Sequence, residues 1–343
     1  MKAAVKERPK PGISLLDVPE PKCGADDILL RIRAAGICGS DLHAYRWNEW
    51  AERTLKKLPV ILGHEFMGEI AEIGKNVKGF KIGERVAVDP AVACGKCTGC
   101  RNGHFNLCEH REIIGGDRNG AFARYTLVPP DLLYKLPNEI TDEIGAFLEI
   151  FALAVHAVER SKVKPGDTAV VVGAGPIGLS TLICAKAAGA KKIFITEKNL
   201  PVRIKAAKEL GPEAVINVDE ADPVKTILEL NGGQKVDVVF EVSGNPVVIP
   251  QAVEYIRKGG EIVVVGTPPK VNVEIPLLTM IRNEISLVAV QGRTHSSWTR
   301  AINLIGRVNV APILGPIVPL DEIEDAFRQC MNSEVIKLII KPN

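Results

Sequence analysis

The chain has almost no net charge, no run of basic residues and no unbroken apolar stretch, and each absence closes off a class of function. Lys and Arg number 43 against 41 Asp and Glu, a formal balance of +2. Such a surface has no field with which to gather a polyanion, so neither nucleic acid nor an anionic membrane is an expected partner. The longest apolar run, 168–190, is interrupted by Gly173, Gly175, Pro176 and Gly178 and carries Lys186, which argues against a membrane span. The first residues, MKAAVKERPKPG, are charged and proline-rich and lack the apolar centre of a secretion signal. The expected location is the cytoplasm, where thiols stay reduced and free to hold metal. Internal repeats and low-complexity segments are also missing.

What is present is a globular composition, 46% hydrophobic and 24% charged over 343 residues, enough for about two domains. Up to about residue 150, short apolar segments such as 27–33, 68–73, 85–88 and 122–128 are separated by Gly and Pro, the pattern of an irregular, mostly β unit with loops. From Thr168 the pattern becomes apolar strand, glycine turn and amphipathic helix, repeated. Continuous apolar strands alternating with helices are what a parallel sheet covered on both faces requires, so the fold class is α/β with a doubly wound sheet. Residues 287–290 are expected to add a strand, and 335–342 to pack back on the first domain.

Four of the eight cysteines, Cys94, Cys97, Cys100 and Cys108, fall in one 15-residue window with the spacing C-x2-C-x2-C-x7-C. Four thiolates on so short a loop complete a tetrahedral zinc site and leave no position for a substrate, so this metal would be structural. The alternatives are an iron–sulfur cluster, whose ferredoxin-type run is usually tighter and ends in Cys-Pro, and a pair of disulfides.

Gly173-Ala174-Gly175-Pro176-Ile177-Gly178 fits G-x-G-x-x-G between an apolar strand and a helix. Two glycines let the backbone approach a pyrophosphate, the third lets helix and strand pack, and the helix N-terminus offers amide donors. Nineteen residues on, Glu197 ends the next apolar strand. An acidic side chain there accepts ribose hydroxyls and repels a 2′-phosphate, favouring NAD over NADP.

A second metal candidate draws on distant positions: Cys38 in the run 36–43 and His64 in Gly63-His64-Glu65, with Glu65 or Glu149 as the carboxylate. One thiolate, one imidazole and one carboxylate make an open site. Glu149 stands out because it interrupts the apolar run 147–155, where an unpaired charge is costly.

The run Gly63-His64-Glu65-x2-Gly68-x5-Gly74-x2-Val77 resembles the signature of zinc-containing medium-chain alcohol and polyol dehydrogenases. The Cys38 motif, the four-cysteine lobe and the nucleotide fingerprint follow in that family's order. The resemblance implies a GroES-like catalytic domain over 1–152, a Rossmann domain over 153–293 and a C-terminal segment, 294–343, returning to the catalytic domain. It implies two zinc ions per chain. One is catalytic, on Cys38, His64 and Glu65 or Glu149; the other sits on the four cysteines. Asp41 would orient His64, Ser40 would bond the substrate hydroxyl, and His43 would pass the proton outward. Zinc would stabilise the alkoxide while hydride moves to NAD. Ser243, Gly266, Gln291 and Arg293 would complete the cofactor contacts, although Arg293 could equally meet a substrate carboxylate. The expected assembly is a homotetramer, with a dimer as the alternative.

For substrate, the segment 45–51 and Gly292-Arg293 followed by Trp298 are similar to L-threonine 3-dehydrogenases. Ala91 stands where those enzymes usually have histidine, Ser40 where they have threonine, and the stretch 152–156 departs from theirs. Residues 86–90 look more like sorbitol-type enzymes. The reading is a threonine-dehydrogenase-like enzyme acting on a small polar secondary alcohol, with a polyol or cyclitol dehydrogenase as the alternative. A zinc- and nucleotide-binding sensor without catalysis is the reading of another class.

Overall fold

A computed structural model describes residues 1–268 and 272–342. Two compact units emerge: Met1–Glu149 with Thr294–Arg307 and Leu314–Asn343, and Ile150–Arg293 with Val308–Ile313. In chain order the first unit begins β1 (Lys2–Lys6), β2 (Ser14–Asp17), β3 (Ile28–Gly36), α1 (Gly39–Arg46), α2 (Glu49–Thr54), β4 (Val60–Ile61), β5 (Glu65–Ile73) and β6 (Arg85–Val88). It continues β7 (Ala91–Val92), α3 (Thr98–Arg101), β8 (Glu112–Ile113), β9 (Tyr125–Val128), β10 (Leu133–Lys135) and α4 (Asp142–Arg160), the last crossing the boundary between units.

The second unit holds β11 (Thr168–Val172), α5 (Pro176–Ala187), β12 (Lys192–Glu197), α6 (Pro201–Glu209), β13 (Ala214–Asn217), α7 (Pro223–Leu230), β14 (Val236–Glu241) and α8 (Val248–Tyr255). Next come β15 (Ile256–Val264), α9 (Leu277–Arg282) and β16 (Ser286–Ala289). The chain then returns to the first unit as α10 (His295–Ile305), β17 (Leu314–Pro319), α11 (Ile323–Met331) and β18 (Lys337–Lys341).

In the first unit a seven-stranded sheet runs β10-β6-β5-β3-β18-β17, with β9 also on β3, beside a three-stranded sheet β2-β1-β4. Strand β3 alternates buried and more exposed positions through its first half and is buried at Ala34, Ala35 and Gly36, where β18 joins it. Helix α11 covers the core with Ile323, Ala326 and Phe327, one face of a helical repeat. Phe327 meets Phe122 edge-on at 6.1 Å within a cluster that includes Phe66, Ile28 and Leu30. Burying each such side chain contributes roughly 1.5–3 kcal/mol.

The second unit is a six-stranded parallel sheet in the order β13-β12-β11-β14-β15-β16. Its central strand β11 is apolar and buried from Ala169 to Val172, as a parallel sheet covered on both faces requires. Strand β16 covers the expected 287–290 to within a residue at each end. Helix α7 shows the local rules: Pro223 takes the first position, and Asp222 caps it by accepting from the Lys225 amide at 3.0 Å. Among the described residues no helix is long and apolar enough to cross a membrane.

Candidate active site and metal centres

The open metal site follows from one strand register. Strands β3 and β5 pair antiparallel with Gly36 opposite Glu65. Cys38 lies two residues beyond one end of that pair and His64 one residue before the other, so the register places them together. Ligand atoms of Cys38, His64 and Glu65 all lie within 4.8 Å of one another. Glycine at 36 leaves room for this packing, since a Cβ there would sit 2.6 Å from Glu65 Oε2 and 2.8 Å from Lys337 Cε and one of those side chains would have to shift.

Helix α1 then begins at Cys38, whose amide donates to Asp41 Oδ2 at 2.9 Å. The other oxygen of Asp41 lies 3.7 Å from His64 Nδ1, which leaves Nε2 facing the cluster. Ser40 Oγ approaches that Nε2 at 3.3 Å. Burial opposes a charge on His64, but the negative groups of Cys38 and Asp41 outweigh it and hold its pKa well above the ordinary value. The donor set therefore attracts a cation. A soft thiolate, an imidazole and a carboxylate at this spacing fit zinc, with coordination positions to spare.

Lys337, fully buried on β18, supplies the one cation seen against this cluster among the described residues. Its amine donates to the Ile37 carbonyl at 2.7 Å and pairs with Glu65 Oε2. Desolvation would lower its pKa, yet Glu65, Cys38 and Glu149 together raise it, so the amine stays charged. Glu149 is buried on α4 and acts on Lys337 through charge, but it lies outside the cluster formed by Cys38, His64 and Glu65.

His43 lies on α1 two residues past Asp41. Its Nδ1 is 2.7 Å from Asn48 Nδ2, and its ring packs on Trp50 at 5.4 Å. Burial, then the charge of Arg46, lowers its pKa. The aromatic segment that follows is turned into the protein's own packing: Tyr45 lies on Phe327 at 5.3 Å and Trp47 lies under the Lys6 amine at 5.1 Å. Trp298 is likewise core. It is fully buried, stacks on Tyr134 at 4.7 Å and donates to Asp89 Oδ2 at 2.9 Å.

The four-cysteine lobe is closed by the short β7–β8 pair. Sulfurs about 2.3 Å from a tetrahedral zinc stand about 3.8 Å apart. Cys97 lies 3.5 Å from Cys100 and 3.9 Å from Cys108, and Cys94 belongs to the same cluster, so the residues present fit that ion. Backbone amides point at the sulfurs: those of Cys94 and His110 donate to Cys108 at 3.2 and 3.4 Å. Amides of Cys100 and Glu109 pull Cys97 down to about 6, while desolvation and its thiol neighbours push Cys100 up to about 12. One thiolate among neighbouring thiols is the start of a metal site.

In the second unit Gly173, Glu197, Ser243, Gly266 and Gln291 all fall at or just beyond the carboxyl ends of parallel strands, where such sheets bind nucleotides. Gly173 adopts φ 107°, and a Cβ on Gly178 would lie 1.8 Å from the Gly173 carbonyl, so only glycine permits this turn. Pro176 and Ile177 open α5. Glu197 is buried and already engaged: Oε2 accepts from the Ala174 amide at 2.8 Å and Oε1 from the Lys198 amide at 2.9 Å. Arg203 Nη1 stands 3.3 Å from Oε2. Ser243 donates through both its amide and its hydroxyl to Glu241, at 2.8 and 2.6 Å. Arg293 follows Gln291 in the loop after β16 and acts on His156 through charge.

Sequence reasoning did not single out Asn48, Lys337, Arg203 or Glu241. Glu241 had a readable signal, an acid ending an apolar strand in the same way as Glu197. Lys337 begins a Lys-Leu-Ile-Ile-Lys strand and gives no sign of its burial.

Comparison with known proteins bears on the fold and the family. Residues 24–138 match the alcohol dehydrogenase GroES-like domain and residues 176–307 the zinc-binding dehydrogenase domain. The chain is 34% identical to an L-threonine 3-dehydrogenase of Idiomarina loihiensis, covering 99% of each. It is 34% identical to a sorbitol dehydrogenase of Bacillus subtilis, covering 100% of this chain and 98% of that one. A Sinorhizobium meliloti protein solved bound to NADP superimposes with a TM-score of 0.91 at 30% identity, covering 99% of each chain. The chain belongs to the zinc-containing medium-chain alcohol and polyol dehydrogenases and is an enzyme of that family.

Proposed function

We propose that the protein oxidises the secondary hydroxyl of a small polar substrate, L-threonine first, with NAD as the hydride acceptor. The observation that carries this reading is the convergence of Cys38, His64 and Glu65 beside the Ser40 hydroxyl. These three residues would hold the catalytic zinc, with Glu65 as the resting carboxylate and Glu149 as the one that takes its place when substrate and water exchange. Bound there, zinc supplies a Lewis acid that makes a coordinated hydroxyl acidic near neutral pH. Asp41 holds the His64 ring, Lys337 balances the charge of Glu65, and Ser40 takes the hydroxyl proton. His43 is the next titratable group along α1.

The second zinc would be structural, on Cys94, Cys97, Cys100 and Cys108. Glu197 supports NAD as the cofactor. Arg203, beside it, is the kind of group a 2′-phosphate needs, so both cofactors belong in the test. Exposed Leu277, Leu278 and Ile281 on α9, next in sequence to the edge strand β16, support self-association into a homotetramer or dimer.

The polyol reading keeps its place because the sorbitol dehydrogenase relative is as similar as the threonine one, and because Tyr45, Trp47 and Trp298 are occupied by packing. A panel of L-threonine, sorbitol, galactitol, xylitol and myo-inositol, with NAD and NADP and zinc measured on the same sample, separates the readings. Highest kcat/KM on threonine with NAD is expected. A polyol or cyclitol ahead of it replaces the substrate, and no turnover with any of them favours a sensor.

A further inference from the structure

Asn48 carries two duties with one amide. Its Oδ1 accepts from the Ala51 amide at 3.3 Å and so caps α2, while its Nδ2 faces His43 Nδ1 at 2.7 Å. The cap decides which way round the amide lies, because a flipped group would point an NH2 at the Ala51 N–H and lose that bond. With Nδ2 turned to the histidine, Nδ1 must be the acceptor. A neutral imidazole has one donor and one acceptor nitrogen, so the proton is on Nε2. An imidazolium would place two donors face to face across the 2.7 Å contact.

We propose that Asn48 is a positioning residue that sets the tautomer of His43: it keeps the ring neutral, with its proton on Nε2, and lets it accept a second proton only when the amide releases Nδ1. The surroundings agree. Arg46 on the same helix is the charge acting on the ring, the neighbour from α2 is the ring of Trp50, and no carboxylate of α2 or of the packed α11 acts on it among the described residues. Proton traffic through His43 is thereby tied to the start of α2. The catalytic consequence rests on His43 taking part in proton transfer; the tautomer itself does not.

The Asn48→Asp variant isolates the effect. Aspartate caps the helix as well as asparagine, but its second oxygen accepts from Nδ1–H, moves the proton to Nδ1 and leaves Nε2 as the base. On the zinc-loaded full chain labelled with 15N-histidine, with His43 assigned through His43→Gln, the wild type should show a protonated Nε2 and a bare Nδ1. Asn48→Asp should reverse the two, raise the ring pKa by about one unit or more, and carry the acid limb of kcat/KM upward with it. Asn48→Ser, which keeps a cap but has no amide donor, should give a mixture of tautomers. A protonated Nδ1 in the wild type, or an Asn48→Asp ring with unchanged tautomer and pH profile, overturns the proposal. The NMR arm reads the ring and not turnover, so a wild type with no dehydrogenase activity would sink the proposed function and leave the tautomer result standing.

Discussion

The two candidate metal sites of the first unit are built in opposite ways. The four-cysteine lobe is local: one loop between β7 and β8 supplies every ligand and most of the amides that point at the sulfurs. The open site is assembled across the chain, from the end of β3, the start of β5 and a buried lysine on β18, about 300 residues apart in sequence. A closed local site organises its own loop, whereas an open one must be held by something larger than its ligands. Here that is the β5-β3-β18 register.

The sharpest way to break this comparison is to remove one ligand from each site. His64→Ala and Cys38→Ser should lower kcat on the order of a thousandfold or more, because they remove the Lewis acid. The sheet that carries them, the lobe zinc and NAD binding should survive, read by circular dichroism, metal analysis and cofactor titration. Near-normal turnover in either variant would end the assignment of the open site.

Cys97→Ser should do the reverse. Zinc binding at such sites is itself folding free energy for the loop, so the lobe should lose its ion and its order and thermal stability should fall. The molecules that stay folded should keep kcat, because this site has no position for a substrate. An unchanged melting temperature with one zinc fewer would show that the lobe does not depend on its metal.

That asymmetry also decides how much was legible in the sequence. The lobe could be read from spacing alone, as could the glycine turn, since both lie within one segment. Cys38 and His64 could be named, but their approach depends on Gly36 falling opposite Glu65, and register is a property of two strands and not of either one. Lys337 was invisible for the same reason: β18 looks like any edge strand until it is inserted between β3 and β17. The aromatic residues from 45 to 50 were readable as a family likeness or as loop packing, but not their partners Phe327 and Lys6, which come from other parts of the chain. Fold class was the most legible feature, because the second unit repeats one strand–helix pattern throughout.

Lys337→Met tests the remote support directly. It leaves the Glu65 carboxylate buried without its cation, and breaking such a pair costs about 3 kcal/mol. The loss should be larger in zinc-depleted protein than in zinc-loaded protein, since the metal replaces the missing positive charge. Urea denaturation with and without zinc measures both. Equal losses in the two forms would mean that Lys337 supports the strand and not the site.

The smallest effect asks whether the lobe is wholly self-contained. Glu112 on β8, at the base of the lobe, meets Lys57 at 2.6 Å and Arg118 at 2.7 Å, and those two bonds hold its carboxyl below the usual range. Lys57 comes from the segment after α2, so this pair moors the lobe to the part of the chain that carries His43. All three side chains are about a third or more exposed, which limits the contribution to less than about 1 kcal/mol. A depressed carboxyl pKa means that the unfolded chain binds the proton more readily. The stabilisation is therefore complete above the ordinary glutamate pKa and disappears as pH falls through the lower folded value. Glu112→Gln should cost a few tenths of a kcal/mol at pH 7 and nothing in acid below the folded pKa, with lobe zinc unchanged at pH 7. A neutral-pH loss as large as that of Cys97→Ser would show that the lobe leans on its neighbours, and the contrast between a local and an assembled site would narrow accordingly.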